Sequence, residues 1–197
     1  MAGINLHNVE FIKSAATEEG VLRDGRPCLV FAGRSNAGKS SVINRLLNRN
    51  KLAFVSKKPG KTIHVNYFLL DNKLYLADLP GYGFARVSGE EKMRWARLIE
   101  HFLNTADNLQ KGVLIVDIRH TPTEDDLLMA DYFAKRGIPY VVVANKSDKL
   151  KKREVEPARA LVEAAFAPKA PAKVLAFSAE SGEGRDELLA DLFDFGN

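Results

Sequence analysis

Eight consecutive residues, Gly33-Arg34-Ser35-Asn36-Ala37-Gly38-Lys39-Ser40, place two glycines, a lysine and a hydroxyl at a spacing suited to holding phosphate. Glycine lets a backbone wrap closely around an anion, and successive amides running into a helix start aim several N–H donors at one point. Lys39 then reaches the β- and γ-phosphates of a triphosphate, while the Ser40 hydroxyl is a hard oxygen ligand for magnesium. The surroundings agree. An apolar run, Cys28 to Ala32, precedes the loop as a strand, and Val42, Leu46 and Leu47 follow it at helical spacing. The plainer reading, a glycine turn that only joins strand to helix, is disfavoured because the full pattern rarely arises by chance in this context.

A phosphate loop does not choose the base. That choice falls to Asn145-Lys146-Ser147-Asp148, at the end of the apolar run Tyr140 to Ala144, where open α/β sheets carry their ligand loops. An ionised aspartate only accepts hydrogen bonds, through two oxygens, so Asp148 can take both hydrogens from the ring N–H and the exocyclic amine of guanine. Adenine would leave that carboxylate partly unpaired, the kind of buried mismatch that gives discrimination of about 10⁴-fold or more. Asn145 would brace the loop, and Lys146 would lay its stem beside the base. Phe177-Ser178-Ala179 ends the last apolar run, where the Ala179 amide could donate to the guanine oxygen. The alternative for Asn145 to Asp148 is a polar turn capping a strand.

Asp78-Leu79-Pro80-Gly81 closes another apolar run, with a carboxylate able to hold a magnesium-bound water and a glycine amide able to sense the γ-phosphate. Thr62, within Gly60-Lys61-Thr62-Ile63-His64, stands between the phosphate loop and Asp78, where its hydroxyl would complete the magnesium shell. If Thr62 and Gly81 both touch the γ-phosphate side, losing that phosphate releases both segments, and the chain is a two-state switch. The candidate catalytic residues are therefore Asn36, Lys39, Thr62 and Gly81.

In Ras-like enzymes a glutamine follows the glycine of the Asp78 to Gly81 motif and positions the attacking water; here Tyr82 stands there. Either hydrolysis is slow until a partner contributes groups, or a second cation compensates transition-state charge. Asn36 resembles the potassium-ligating asparagine of cation-activated GTPases related to TrmE, which implies a potassium site; the other reading is that Asn36 only stiffens the loop. Arg34 is expected to face solvent rather than act as an arginine finger.

Taken together, Gly33 to Ser41, Ser56-Lys57-Lys58-Pro59-Gly60-Lys61-Thr62, Asp78-Leu79-Pro80-Gly81-Tyr82-Gly83-Phe84-Ala85 and Asp117-Ile118-Arg119-His120 resemble the EngB family, also called YsxC or YihA, over nearly the whole chain. The resemblance implies a GTPase of the TrmE-Era group that acts late in large ribosomal subunit assembly, with rRNA and ribosomal proteins as partners, and that is needed for cell division and septation. Three positions depart from the family pattern: Asn145 where threonine is common, Ile63 where glutamine is frequent, and Ala179 where a second serine is frequent. Asp117, Arg119 and His120 form either a partner surface or an ion-paired strand exit.

Positioning these loops requires a particular scaffold. Short apolar runs at Cys28 to Ala32, Tyr67 to Leu70, Leu74 to Ala77, Val113 to Val116, Tyr140 to Ala144 and Val174 to Phe177 predict buried strands. Helical patterns lie between most of them. Ser88 with Glu91, and Thr123 with Asp126, form capping boxes, the first opening a helix whose apolar side carries Trp95, Ile99, Phe102 and Ala106. Further helices are expected over Val155 to Phe166 and Asp186 to Phe193, with Ala167 to Pro171 as a loop. The alternation predicts a three-layer α/β fold with a mainly parallel sheet covered on both faces, and the resemblance implies that it is a Ras-like G domain, one domain over residues 1–197.

Composition narrows the class. The chain has 197 residues, 46% of them hydrophobic, and a formal net charge of +4, which suits an anionic partner without requiring one. Cys28, the single cysteine, lies in an apolar run and reads as a small buried hydrophobe. His7, His64, His101 and His120 lack zinc-ligand spacing. No stretch approaches membrane-spanning length and the first ten residues lack a leader pattern, so the expectation is a cytoplasmic protein, a monomer, without membrane insertion. A small-molecule kinase would share the phosphate loop but not the guanine-reading loop. A regulatory G domain serving a separate tRNA-modification or membrane-transport partner is the remaining alternative.

Overall fold

The computed structural model describes residues 4–50, 52–53, 64–83, 89–106 and 108–193. Gly60, Lys61, Thr62 and Ile63, together with Ser88, lie outside the described residues. Seven strands, β1 (Val9–Ala15), β2 (Cys28–Gly33), β3 (Val65–Leu70), β4 (Leu74–Asp78), β5 (Leu109–Asp117), β6 (Tyr140–Asn145) and β7 (Lys173–Phe177), form one sheet in the order β1-β3-β4-β2-β5-β6-β7. From β4 to β7 every pairing is parallel; β3 pairs antiparallel with both β4 and β1. The three-layer α/β expectation holds.

The apolar runs are continuous because both faces of the sheet are covered. Along β2, Leu29 and Phe31 pack on one side with Val42, Ile43 and Leu46 of α1 (Lys39–Leu46) and Leu188 and Leu192 of α5 (Arg185–Phe193). Val30 and Ala32 face the other side, toward Ile99 and Phe102 of α2 (Gly89–Thr105), Phe133 of α3 (Glu124–Lys135) and Val162 and Phe166 of α4 (Lys152–Phe166). Alternate residues of a strand point to opposite faces, so a doubly covered strand has no polar positions to spare. Trp95 and Phe102 belong to this packing, as their helical spacing predicts.

The Thr123 capping box is present: the Thr123 amide donates to Asp126 Oδ2 at 2.8 Å, and the Asp126 amide donates to Thr123 Oγ1 at 3.4 Å. Two elements differ from expectation. Ala167–Lys169 forms a 3-10 turn rather than an open loop, with Pro168 at its start, where a missing amide donor costs nothing. Strand β1 is an addition, at the sheet edge. Its register shifts between Phe11 and Lys13, and Phe11 is 51% exposed, so the alternation that would mark a strand is broken. Cys28 is buried as expected, and burial pushes its thiol up to about 12.

Candidate functional site

The three loops flagged by sequence leave the carboxyl ends of β2, β4 and β6, on one side of the sheet, with the β7 exit beside them. Between β2 and α1 the chain turns at Arg34–Ala37, where the Ala37 amide donates to the Arg34 carbonyl at 3.0 Å. Gly33 has no room for a side chain, since a Cβ there would lie 2.7 Å from the Ile115 carbonyl oxygen. Gly38 caps α1 with φ 96°, a left-handed conformation that glycine adopts without the Cβ penalty.

Two residues of the β6 exit hold this loop from outside. The Asn145 side-chain amide donates to the Ala37 carbonyl at 3.0 Å, and Lys146 Nζ donates to the Asn36 carbonyl at 2.6 Å. A trans peptide points its carbonyl and its amide in opposite directions. Holding the Ala37 carbonyl against Asn145 therefore turns the Gly38 amide away, toward the side where the first-turn amides of α1 have no intrahelical acceptor. The geometry is that of an anion cradle. Ser35 and Ala37 line the same loop, and Arg34 is exposed as expected.

At the β4 exit, buried Asp78 forms an ion pair with the Lys39 ammonium, so the lysine of the β2–α1 loop and the carboxylate of the β4 exit meet at one point in space. The Leu79 amide donates to the Phe31 carbonyl at 2.9 Å, and the Trp95 indole N–H donates to the Pro80 carbonyl at 2.9 Å. Gly81 lies directly against the backbone of Ser35, and the Ser35 amide donates to the Tyr82 carbonyl at 2.8 Å. Ser40 is the second residue of α1, directly after Lys39. Its oxygen and the Asp78 carboxylate are hard donors of the kind magnesium takes. His64 leads into β3; its neighbours Gly60 to Ile63 lie outside the described residues.

Tyr82, in the place of the Ras glutamine, turns inward. Its hydroxyl donates to Asp126 Oδ1 at 2.7 Å, its ring packs edge-on against Trp95 at 5.8 Å, and it is 4% exposed. Burial, with the Asp126 charge beside it, pushes the phenol well above its ordinary range.

The β6 exit carries the remaining site residues. Lys146 adopts φ 73° and donates also to Asp117 Oδ2 at 2.8 Å. Asp148 is oriented at both oxygens: Ser178 Oγ donates to Oδ1 at 2.8 Å, and Lys149 Nζ lies 2.9 Å from Oδ2. The Lys149 hydrogen bond outweighs the opposing effect of desolvation and, with Ser178, holds this carboxyl below its usual range. Ser147 donates to Glu183 at 3.2 Å. The Ala179 amide, expected to be available to a guanine oxygen, donates instead to Asn145 Oδ1 at 3.1 Å, because Asn145 bridges the phosphate loop and the Phe177-Ser178-Ala179 strand end.

Sequence reasoning missed several supports. Arg45 of α1 donates to the Ala179 carbonyl at 2.7 Å and to the Glu180 carbonyl at 2.5 Å, a tie across more than a hundred residues that leaves no local signal. Asp117, by contrast, was not missed: of its two readings the structure has the ion-paired strand exit, bonded by Arg119 Nε at 2.9 Å, Arg119 Nη2 at 2.7 Å and Lys146. Burial works to raise the Asp117 carboxyl, but these bonds win and hold it well below the usual carboxylate range.

A strand–loop–helix anion cradle, a carboxylate at the neighbouring strand exit and an Asn-Lys-Ser-Asp loop across the sheet define a Ras-like P-loop GTPase. Residues 28–146 match the family described as 50S ribosome-binding GTPase. A relative from Thermoanaerobacter pseudethanolicus, "Probable GTP-binding protein EngB", is 50% identical over 151 residues, 77% of this chain and 79% of that protein. This chain belongs to the EngB family of GTP-binding proteins. A crystal structure of a probable GTP-binding protein engB superimposes with a TM-score of 0.69 at 26% identity, covering 85% of this chain and 97% of that one. Era in complex with MgGDPNP and nucleotides 1506-1542 of 16S ribosomal RNA shares the fold, with a TM-score of 0.65 at 22% identity, over 86% of this chain and 56% of that chain. No helix among the described residues is long and apolar enough to cross a membrane.

Proposed function

We propose that this GTPase is a nucleotide-dependent switch that assists late assembly of the large ribosomal subunit, and that normal cell division and septation depend on it. The observation that carries the nucleotide reading is Asp148, ionised and aimed by Ser178 and Lys149, on a loop tied by Asn145 and Lys146 to the anion cradle. Asp148 reads guanine through its two acceptor oxygens, Lys146 packs along the base, and the amides from Gly33 to Ser40 with Lys39 hold the phosphates. Asn36, Lys39, Thr62 and Gly81 act nearest the γ-phosphate.

Ser40 and Thr62 would ligate magnesium directly and Asp78 through a water, and the ion would there neutralise phosphate charge. Tyr82 is committed to Asp126 and does not orient water, which supports a low intrinsic rate. Asn36 is the residue that would ligate potassium. The ribosomal role is supported by the family's description as 50S ribosome-binding. The chain acts as a single domain and a monomer in the cytoplasm.

Calorimetry with GTP, GDP and ATP tests the base reading; equal affinity for ATP would overturn it. Co-sedimentation with large-subunit precursors, with a GTP analogue and with GDP, tests the partner. Binding that depends on the γ-phosphate is the expected result, and failure to bind at low salt in either state would remove the ribosomal role.

A further inference from the structure

Several of the described surface cations are neutralised where they stand. Arg159 pairs with Glu156 and Glu163, Lys169 with Asp131, Lys173 with Glu187 and Lys111 with Asp191. On α2, exposed Arg94 and Arg97 alternate with exposed Glu90 and Glu100. Arg23, Arg34, Arg49, Lys135 and Arg136 are also exposed without an ion pair to a described residue, but they stand singly or as one pair, whereas Lys151, Lys152 and Arg153 form a run of three. All three are exposed, they are consecutive, and none forms an ion pair with a described residue.

Their position brings the fold no benefit. They sit where α4 begins, the positive end of the helix dipole, while the last turn of α4, which would favour cations, has none. The acidic groups around them are already engaged. Glu154 accepts from the Lys151 amide at 3.0 Å, Asp148 holds Lys149, and Asp117 holds Arg119 and Lys146. A run of cations that opposes the local helix preference and lacks a counter-charge marks a surface kept for a partner.

We infer that Lys151, Lys152 and Arg153 form a docking surface for the phosphate backbone of an RNA helix, an inference that rests on the proposed ribosomal role. Phosphodiesters supply closely spaced negative charge without demanding buried contacts, which matches three consecutive exposed cations. The surface belongs to the segment that follows β6, not to the phosphate loop or the β4 exit, so its contribution is the same with GDP and with a GTP analogue. It holds the protein on RNA while the γ-phosphate governs other contacts.

The test is the full chain carrying Lys151→Gln, Lys152→Gln and Arg153→Gln, titrated by anisotropy against a fluorescein-labelled RNA duplex between about 50 and 200 mM salt, with polyglutamate as the acidic-polypeptide competitor. The variant is expected to bind on the order of 10-fold more weakly at the lowest salt. Its log–log salt slope should be flatter by roughly 2 to 3, equally in both nucleotide states. Its melting temperature should be unchanged or raised, because the helix dipole no longer faces three cations. An unaltered slope and affinity would overturn the inference, as would a wild-type protein that ignores the duplex or prefers polyglutamate through the same residues. Failure of the wild-type protein to bind precursor particles while it still binds the duplex would instead count against the ribosomal role.

Discussion

The Asn145 side chain bonds the Ala37 carbonyl with its amide nitrogen and the Ala179 amide with its oxygen, joining the phosphate loop to the end of β7. Asn145 is 2% exposed, so neither partner has ready access to water if it is removed. Asn145→Ala is expected to lower stability by about 1–3 kcal/mol, the cost of leaving buried polar groups unsatisfied, and to weaken GDP binding as the two loops lose their common brace. Denaturant unfolding with calorimetry of the same samples checks both; a variant as stable as the parent with unchanged GDP affinity would count against this role.

Asp148→Asn replaces one acceptor with a donor while leaving the side chain's shape intact. The purine amine of guanine then meets a donor, whereas xanthine offers an oxygen there. GTP affinity should fall by about 10³-fold or more and xanthosine triphosphate should gain, measured by competition against a fluorescent nucleotide.

Tyr82→Phe removes the hydroxyl that donates to buried Asp126, whose other oxygen remains bonded to Thr123. A loss of about 1–2 kcal/mol in stability is expected, with single-turnover GTP hydrolysis retained, since the phenol is engaged away from the phosphates. Abolished hydrolysis at full stability would mean that the hydroxyl works at the site instead.

The Asp117 carboxyl is held below its ordinary range by Arg119 and Lys146, so the folded chain binds its proton less readily than the unfolded chain does. Its contribution is therefore fully present above the unfolded carboxylate value of about 3.9 and is lost as the pH falls through the lower folded value. The stability difference between parent and Asp117→Asn should stay constant from about pH 8 to 5 and shrink below about pH 4, as read by urea unfolding across that range.

If Asn36 ligates a monovalent ion, hydrolysis in potassium should exceed that in sodium, and Asn36→Ala should abolish the difference while leaving GDP affinity within a few-fold. Equal single-turnover rates in the two salts would leave Asn36 with only a loop-shaping role, consistent with its φ of 66°.

Much of the architecture can be read from local pattern. Val30 and Ala32 face one core and Leu29 and Phe31 the other, so β2 appears in sequence as an unbroken apolar run leading into the phosphate loop. Thr123 and Asp126 announce the start of α3 because a capping box is made within four residues. Strand β1 escapes detection, since an edge strand with one register shift and an exposed Phe11 keeps no strict alternation.

The chemistry of the site divides along the same line. Gly33 to Ser40 and Asn145 to Asp148 each hold their functional atoms within a single turn of chain, so their residue types and spacing alone determine what each can recognise. What joins them is long-range. That Lys146 reaches Asn36, that Arg45 pins the Ala179 and Glu180 carbonyls, and that Tyr82 points at Asp126 rather than toward phosphate follow from strand order and helix placement. Hydrogen bonds between residues so far apart in sequence leave no local trace, because only the packed sheet brings their donors and acceptors within reach of one another.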